Sequence, residues 1–227
     1  MEIYDRTFRS KIITGNSYKG YPLMESKGPF VARYLDSIIS VIDKALAVHP
    51  RTYAFRFDLR LPAGSSNWPE GRLIDRFIAS LKGRIQSARR RSARAAKNGR
   101  VHDTDFHYVY AREVASTGRP HFHFVAFVNR DAFNAIGRYC EGRDNLYSRL
   151  NAAWASALDL SVDEAVGLVH IPKHPDYWID ADDENSVHEL VQRVSYFAKT
   201  ATKRVGRRHS FGYSRGRRRQ RPLVIRV

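Results

Sequence analysis

Apolar residues recur at helical spacing in several regions of the chain. Asn67 and Asp131 stand where such regions begin and are candidate N-caps, and Ser186 with Glu189 forms the pattern of a capping box. We therefore predict helices that pack through one apolar face. The predicted helical regions are 30–48, 67 to about 99, 131–158 with a break near Gly142, and 186 to about 205.

A second set of segments alternates between apolar and polar residues, which is typical of strands. The first of these strands is predicted to be half-buried, with Arg56 and Asp58 on its polar face. Two segments rich in aromatic and β-branched residues follow as a hairpin, and the acidic segment 173–185 is predicted to be an exposed loop. The predicted strands are 52–62, 105–114, 121–129 and 167–171.

This order of elements predicts an α+β fold: a central antiparallel sheet with helices on one face, of the ferredoxin-like or RNA-recognition (RRM-like) type. We expect three units along the chain. Residues 1–50 form an N-terminal helical extension, residues 51–205 form the main domain, and residues 206–227 form a basic C-terminal arm.

Composition narrows the class of protein. Hydrophobic residues make up 43% of the 227-residue chain, which is typical of a globular protein. No apolar stretch is long enough to span a membrane, and the first residues lack the apolar core of a signal peptide. The single cysteine, Cys140, excludes an internal disulfide and agrees with a reducing compartment. We therefore expect a cytoplasmic protein with no membrane partner.

The net charge of +16 points to a polyanionic partner. Arginine, whose planar guanidinium suits phosphate, accounts for 30 of the 39 basic residues. The charge is also segregated, because no acid lies between Asp75 and Asp103 and none follows Glu189. Segregated charge of this kind is typical of a nucleic-acid-binding face.

His121 and His123 are two residues apart on a predicted strand, so their imidazoles project from the same face. Glu113, on the other strand of the hairpin, reaches that face if the turn is tight. Two imidazoles and a carboxylate can form a metal site with open positions. The alternative is a histidine pair that simply lies on an exposed sheet face.

Tyr196 and Lys199 are three residues apart on the last predicted helix, so a phenol is presented beside an ammonium group. That side of the helix also carries Gln192 and Lys203. A neighbouring cation favours the phenolate, which a tyrosine nucleophile attacking a phosphodiester requires. The alternative is an amphipathic pair at the edge of a packed face.

The two motifs together resemble those of the HUH endonucleases, which nick single-stranded DNA. More narrowly, RPHFHFVAFVN (119–129) with RVSYFAKTATK (193–203) resembles the replication initiators of filamentous (inovirus) phages, the rolling-circle Rep proteins. The resemblance covers residues 52–203. It implies that His121 and His123 bind a divalent metal, with Glu113 completing the site. It also implies that Tyr196 is the nucleophile and that Lys199 orients the phosphate or the metal environment.

The implied activity is that of a metal-dependent single-strand DNA endonuclease, a nickase that forms a 5′-phosphotyrosine intermediate and rejoins strands. The expected ion is Mn²⁺ or Mg²⁺. The expected partners are single-stranded or origin-hairpin DNA and a host helicase, because the chain contains no GxxxxGK[ST] motif. The residues expected to support the site are Arg56, Asp58, Gln192 and Lys203. The arginines expected to contact the DNA backbone are Arg89, Arg90, Arg91, Arg94, Arg204, Arg207, Arg208, Arg217, Arg218 and Arg219.

Two other classes of protein remain open. A catalytically inactive RRM-like nucleic-acid-binding protein would share the charge and the fold, but it would not need two histidines facing one metal. An iron oxygenase would use the same two histidines and one carboxylate. Neither the net charge nor the predicted helices favour the oxygenase.

Overall fold

The computed structural model describes residues 3–63, 70–96, 101–114, 120–140, 142–201 and 210–215. The helices of these residues are α1 (Ala32–Val48), α2 (Glu70–Ala95), α3 (Leu146–Leu158) and α4 (Glu184–Val194). The strands are β1 (Ile3–Asp5), β2 (Ser10–Ile13), β3 (Ser17–Tyr18), β4 (Tyr21–Pro22), β5 (Phe30–Val31), β6 (Arg51–Arg60), β7 (His107–Val114), β8 (Pro120–Asn129), β9 (Val169–His170), β10 (Asp176–Asp180) and β11 (Phe211–Tyr213).

A large antiparallel sheet forms the centre of the α+β fold, as predicted. Its strand order is β10-β6-β8-β7-β11, and β9 also pairs with β6. The alternation of side chains divides the core in two. Phe57 and Phe124 pack with α2 and α3 on one face, whereas Val125 and Phe127 pack with α1 and α4 on the other. The prediction of helices on one face only is therefore wrong, because apolar residues occupy both faces of the central strands.

The edge of β6 is shared by two short strands. β10 pairs with Arg51–Phe55, and β9 pairs with Asp58 and Leu59. The predicted exposed loop at 173–185 thus contains a strand of the sheet. The prediction that β6 is half-buried is also wrong, because the α1–α4 layer covers its second face, where Ala54 and Arg56 are buried.

Two predicted helix starts are wrong. The described residues between Asp131 and Asn145 form no helix, and α3 is capped by Asn145, whose side chain accepts a hydrogen bond from the Ser148 N–H (2.9 Å) and donates one to the carbonyl of Arg138 (3.0 Å). The N-cap of α4 is Asp183 rather than Ser186, and its carboxylate accepts hydrogen bonds from the N–H groups of Asn185 and Ser186. The cap of α3 thus lies 14 residues after the predicted cap Asp131, and the cap of α4 lies three residues before the predicted cap Ser186, because each helix starts where a side-chain oxygen accepts from its first-turn N–H groups. The predicted cap Asn67 lies outside the described residues.

The N-terminal 50 residues contain five strands as well as the predicted helix, and α1 packs on the central sheet. They also hold the segment that follows α4. Lys199 forms a β-bridge with Phe30, the Thr200 N–H donates to the carbonyl of Pro29, and the Met24 N–H donates to Ser195 Oγ. In the C-terminal segment β11 pairs with β7. The segments outside the predicted boundaries at 50 and 205 therefore both contact the central sheet, through α1 and β11 respectively.

Within the described part of the chain, no helix combines the length and the apolar character that crossing a membrane requires.

The core between the sheet and the α2–α3 layer is centred on Phe77, whose ring packs edge-on against Phe57, Phe124 and Trp154. We expect Phe77→Ala to lower the free energy of unfolding by about 3 to 5 kcal/mol, because a large cavity replaces these contacts. Chemical denaturation measures this change. Val166→Ala is the control, since Val166 is 63% exposed and its truncation should cost less than about 0.5 kcal/mol. Equal midpoints for the two variants would contradict this description of the core.

Candidate functional site

Strand register brings a carboxylate between two imidazoles on the α1–α4 face of the sheet. Asp58 on β6 is paired with His123 on β8 and with His170 on β9. Its Oδ1 lies 2.6 Å from His123 Nδ1 and its Oδ2 lies 3.1 Å from His170 Nδ1. A carboxylate bound to one ring nitrogen fixes the orientation of the ring, so His123 Nε2 is directed away from Asp58.

The next row of the sheet adds two more site residues. Glu113 on β7 is paired with His121 on β8, as the hairpin prediction requires. The Nε2 atoms of His121 and His123 are 3.1 Å apart, and Glu113 Oε2 is 3.6 Å from His123 Nε2. One ligand atom from each of the three residues lies within 4.8 Å of the others. Glu113 Oε1 is buried and has no hydrogen-bond partner in the described residues. The set fits a divalent cation that accepts imidazole and carboxylate ligands.

Tyr196 lies beside this metal-ligating cluster, on a 3₁₀ turn over Ser195–Ala198 that follows α4. The predicted helix through residue 205 is therefore too long, because α4 ends at Val194. The Tyr196 ring centroid is 5.4 Å from that of His123, nearly perpendicular to it. Arg56 Nη2 donates a hydrogen bond to the Tyr196 hydroxyl over 3.0 Å.

Arg56, rather than Lys199, donates the hydrogen bond to the phenol hydroxyl. Lys199 Nζ lies 2.8 Å from Glu113 Oε2 and 5.9 Å from the centroid of the Tyr196 ring. Lys199 thus lies beside the phenol ring, as predicted, but its ion pair is with Glu113 of the metal-ligating cluster. Arg56 is only 5% exposed, and its Nε and Nη1 have no hydrogen-bond partner in the described residues. A buried guanidinium bonded to a phenol can stabilise negative charge that develops on the phenolic oxygen.

The environment of the site shifts the pKa values of its residues in different directions. Burial opposes ionisation of Glu113, but its bonds with His123 and Lys199 outweigh this cost and lower the pKa of the carboxyl to about 2. Burial likewise disfavours the charged form of His123, but Asp58 and Glu113 outweigh it and raise the pKa of that imidazole. Burial, reinforced by the charge on His123, lowers the pKa of His121. Burial raises the pKa of Tyr196 to about 12, against the opposing effect of Arg56.

The structure also places two residues that the sequence interpretation had not assigned to the site. His170 binds Asp58 and keeps 42% of its side chain exposed, so its Nε2 side faces outward. Arg60 is exposed and is paired with His121. The sequence predicts the strand that carries His170. It does not show that this strand pairs with β6, which is what brings His170 to Asp58.

None of the other predicted site residues that the structure describes joins the cluster. Gln192 is exposed on α4 and makes no side-chain contact with the cluster in the described residues. The four described arginines among those predicted to contact DNA, Arg89, Arg90, Arg91 and Arg94, lie on α2. Seven further basic residues predicted to act at the site or on DNA lie outside the described residues, namely Lys203, Arg204, Arg207, Arg208, Arg217, Arg218 and Arg219.

The α2 arginines lie across the sheet from the candidate site and toward its other end. Arg89 Nη1 contacts the carbonyl of Ala132 (3.4 Å), which follows the end of β8 at Asn129. His121 is at the start of β8, and Asn129, eight residues further along the strand, lies about 26 Å away. These arginines are therefore remote from any phosphate bound beside Tyr196.

The profile of the YagK/YfjJ C-terminal domain matches residues 13–214. The match covers most of the chain, so the chain belongs to this family. Escherichia coli (strain K12) YfjJ, named an uncharacterized protein, is 28% identical over 201 residues, which are 83% of this chain and 97% of YfjJ. YagK of the same strain, also named uncharacterized, is 30% identical over 190 residues, 79% of this chain and 90% of YagK. No solved structure matches the chain.

If the cluster binds a divalent cation, Mn²⁺ will stabilise the folded protein. A free concentration one hundred times the Kd raises the free energy of unfolding by about 2.7 kcal/mol. We expect the unfolding temperature of the wild type to rise with MnCl₂ and that of His121→Ala to stay constant. His174→Ala is the control, because His174 is exposed and outside the cluster. A manganese shift that survives in His121→Ala would exclude this cluster as the site.

The raised pKa of His123 predicts that metal binding depends on pH. Below that pKa a cation must displace a proton from the imidazole, and above it no proton needs to leave. Affinity for Mn²⁺ should therefore increase as the pH rises through the pKa and then level off. Calorimetry in buffers of different ionisation enthalpy should detect proton release of about one per ion only on the acidic side. Proton release that is the same at every pH would contradict the prediction.

Proposed function

We propose that this member of the YagK/YfjJ C-terminal domain family is a metal-dependent single-strand DNA endonuclease that cuts through a covalent tyrosine intermediate and rejoins the strand. The observation that carries the proposal is the position of Tyr196, which lies directly beside His123 of the metal-ligating cluster on one face of the sheet. A nucleophile and a cation site that share one surface are what phosphodiester transfer requires.

Glu113, His121 and His123 would hold Mn²⁺ or Mg²⁺. A divalent ion there supplies positive charge that offsets the charge on the oxygens of a bound phosphodiester. Lys199 neutralises Glu113 on the side toward Tyr196, and Asp58 holds His123 in its ligating orientation. Arg56 donates a hydrogen bond to the phenol.

The chemistry at Tyr196 is an in-line exchange of one phosphate ester for another. The phenolic oxygen bonds to phosphorus, the bond from phosphorus to the 3′ oxygen breaks, and the 5′ phosphate stays on the tyrosine. The phenol loses a proton and the leaving 3′ oxygen gains one, so no net proton is consumed. Because the pKa of Tyr196 is about 12, deprotonation is the step in which the hydrogen bond from Arg56 matters most. Attack by the 3′ hydroxyl on the phosphotyrosine restores the strand.

Charge supports DNA as the substrate. The chain carries a net charge of +16, and Arg60 is exposed beside His121 where a strand entering the site would pass. We propose single-stranded or origin-hairpin DNA of a phage or other mobile element as the substrate, and initiation of rolling-circle replication in the bacterial cytoplasm as the role. A host helicase would supply unwinding, since the chain has no GxxxxGK[ST] motif.

Tyr196→Phe should abolish a covalent protein–DNA adduct that wild type forms with single-stranded oligonucleotides and Mn²⁺, because the variant lacks the attacking oxygen. A denaturing gel separates the adduct from free protein. Tyr34→Phe is the matched control, since the Tyr34 hydroxyl also accepts a hydrogen bond from an arginine, Arg33, but lies outside the cluster. It should retain the adduct.

Tight DNA binding without an adduct on any strand, including DNA that flanks the gene of this protein, would instead support the catalytically inactive RRM-like nucleic-acid-binding protein. An adduct that persists in Tyr196→Phe would still support an endonuclease with a covalent intermediate, but it would show that Tyr196 is not the nucleophile.

A further inference from the structure

We propose that the cleft between α2 and α3, on the opposite face of the sheet from Tyr196, is a second nucleic-acid contact that binds backbone phosphates. This α2–α3 cleft encloses about 520 Å³. The residues that give it its chemistry are Arg84, Arg91, Arg143, Asp144, Ser148 and Arg149. The inference rests on nucleic acid being the partner named in the proposed function, but it concerns binding rather than cutting.

The cleft has an excess of positive charge. Four guanidinium groups line it, and Asp144 is the one carboxylate among its lining residues. Asp144 is shared by Arg91 (3.0 Å) and Arg149, so it cannot neutralise both of them. Arg143 is exposed and has no ion pair within the described residues. An anionic ligand would balance this charge.

Buried donors in the cleft wall lack acceptors. Arg149 is 8% exposed, and its Nε is buried without a hydrogen-bond partner in the described residues. Ser148 Oγ is also buried and has no hydrogen-bond partner in the described residues. Since nearly all buried polar groups in folded proteins are paired, two adjacent unpaired donors beside a cleft indicate a ligand with acceptor oxygens.

The shape of the cleft admits a backbone. A Cβ atom added at Gly83 would meet nothing within 4 Å, so the α2 wall is open at this position. Arg84 donates a hydrogen bond to Ser80 Oγ on its own helix (3.3 Å) and another across the cleft to the carbonyl of Ala152 on α3 (3.2 Å). A guanidinium fixed in this way loses little entropy when it binds phosphate.

The charge of the chain favours nucleic acid over a free anion. A net charge of +16 is suited to a polyanion, whose successive phosphates several basic positions can contact at once. The α2–α3 cleft would thus anchor a stretch of strand separate from the one that Tyr196 cuts.

The test compares two double variants in a Tyr196→Phe background with chelator present, so that no cutting occurs. Arg84→Gln with Arg143→Gln removes two charges from the cleft. Arg72→Gln with Lys82→Gln removes two charges from exposed positions of α2 outside the cleft. Fluorescence anisotropy of a labelled single-stranded oligonucleotide gives the Kd over a range of salt concentrations.

We expect the cleft variant to lose affinity on the order of tenfold at low salt and to lower the salt slope by about 1.4, since each phosphate contact on a single strand contributes about 0.7. The control variant should change both quantities much less. Equal losses in the two variants would overturn the proposal, because they would reflect net charge alone.

A second measurement distinguishes a nucleic-acid phosphate from free inorganic phosphate as the ligand of the cleft. If inorganic phosphate raises the unfolding temperature of the parent protein but not of the cleft variant, and the oligonucleotide affinities of the two are equal, the cleft binds free phosphate and the nucleic-acid proposal is wrong. Neither readout depends on adduct formation, so a failure of the proposed endonuclease activity leaves this test intact.

Discussion

The antiparallel register of β6, β7 and β8 is the constraint on which the candidate site depends. The backbone pairing of the strands aligns Asp58 with His123 and Glu113 with His121. The side-chain period of a strand is two, so a slip of one residue would turn every one of these groups toward the α2–α3 core. The aromatic residues between them, such as Phe122 and Phe124, are fully buried in that core and hold the register in place.

The second constraint is charge compensation in a buried setting. Glu113 is ionised because His123 and Lys199 outweigh the cost of burial, and each of those partners comes from a different element. Lys199 is in turn fixed by the N-terminal segment through its bridge with Phe30. The first 50 residues therefore belong to the architecture of the site, because they hold the turn that carries Tyr196. An unpaired charge at any of these positions would be costly in a low dielectric.

The sequence predicted the elements whose pattern is local and strong. The spacing of His121 and His123 and the hairpin with Glu113 follow from the alternation of a strand, and the helix at 32–48 follows from its apolar face. Contacts between segments that are distant in the sequence could not be predicted from such local patterns. The pairing of His170 with Asp58 requires knowing that β9 joins the edge of β6, and the hydrogen bond from Arg56 to Tyr196 requires the 3₁₀ turn that ends α4 early. Helices on both faces were missed because Ala54 and Arg56 are buried on what reads as a polar face.

The most direct test of the central claim is to locate the covalent bond to DNA by mass spectrometry. The protein is mixed with single-stranded DNA and Mn²⁺, and the adduct is digested with nuclease and trypsin. Trypsin cuts after Arg193 and Lys199, so Tyr196 falls in the short peptide VSYFAK. The account predicts a nucleotide remnant on the tyrosine of that peptide. A remnant on any other residue, or no remnant on any peptide when the DNA is tightly bound, would contradict it.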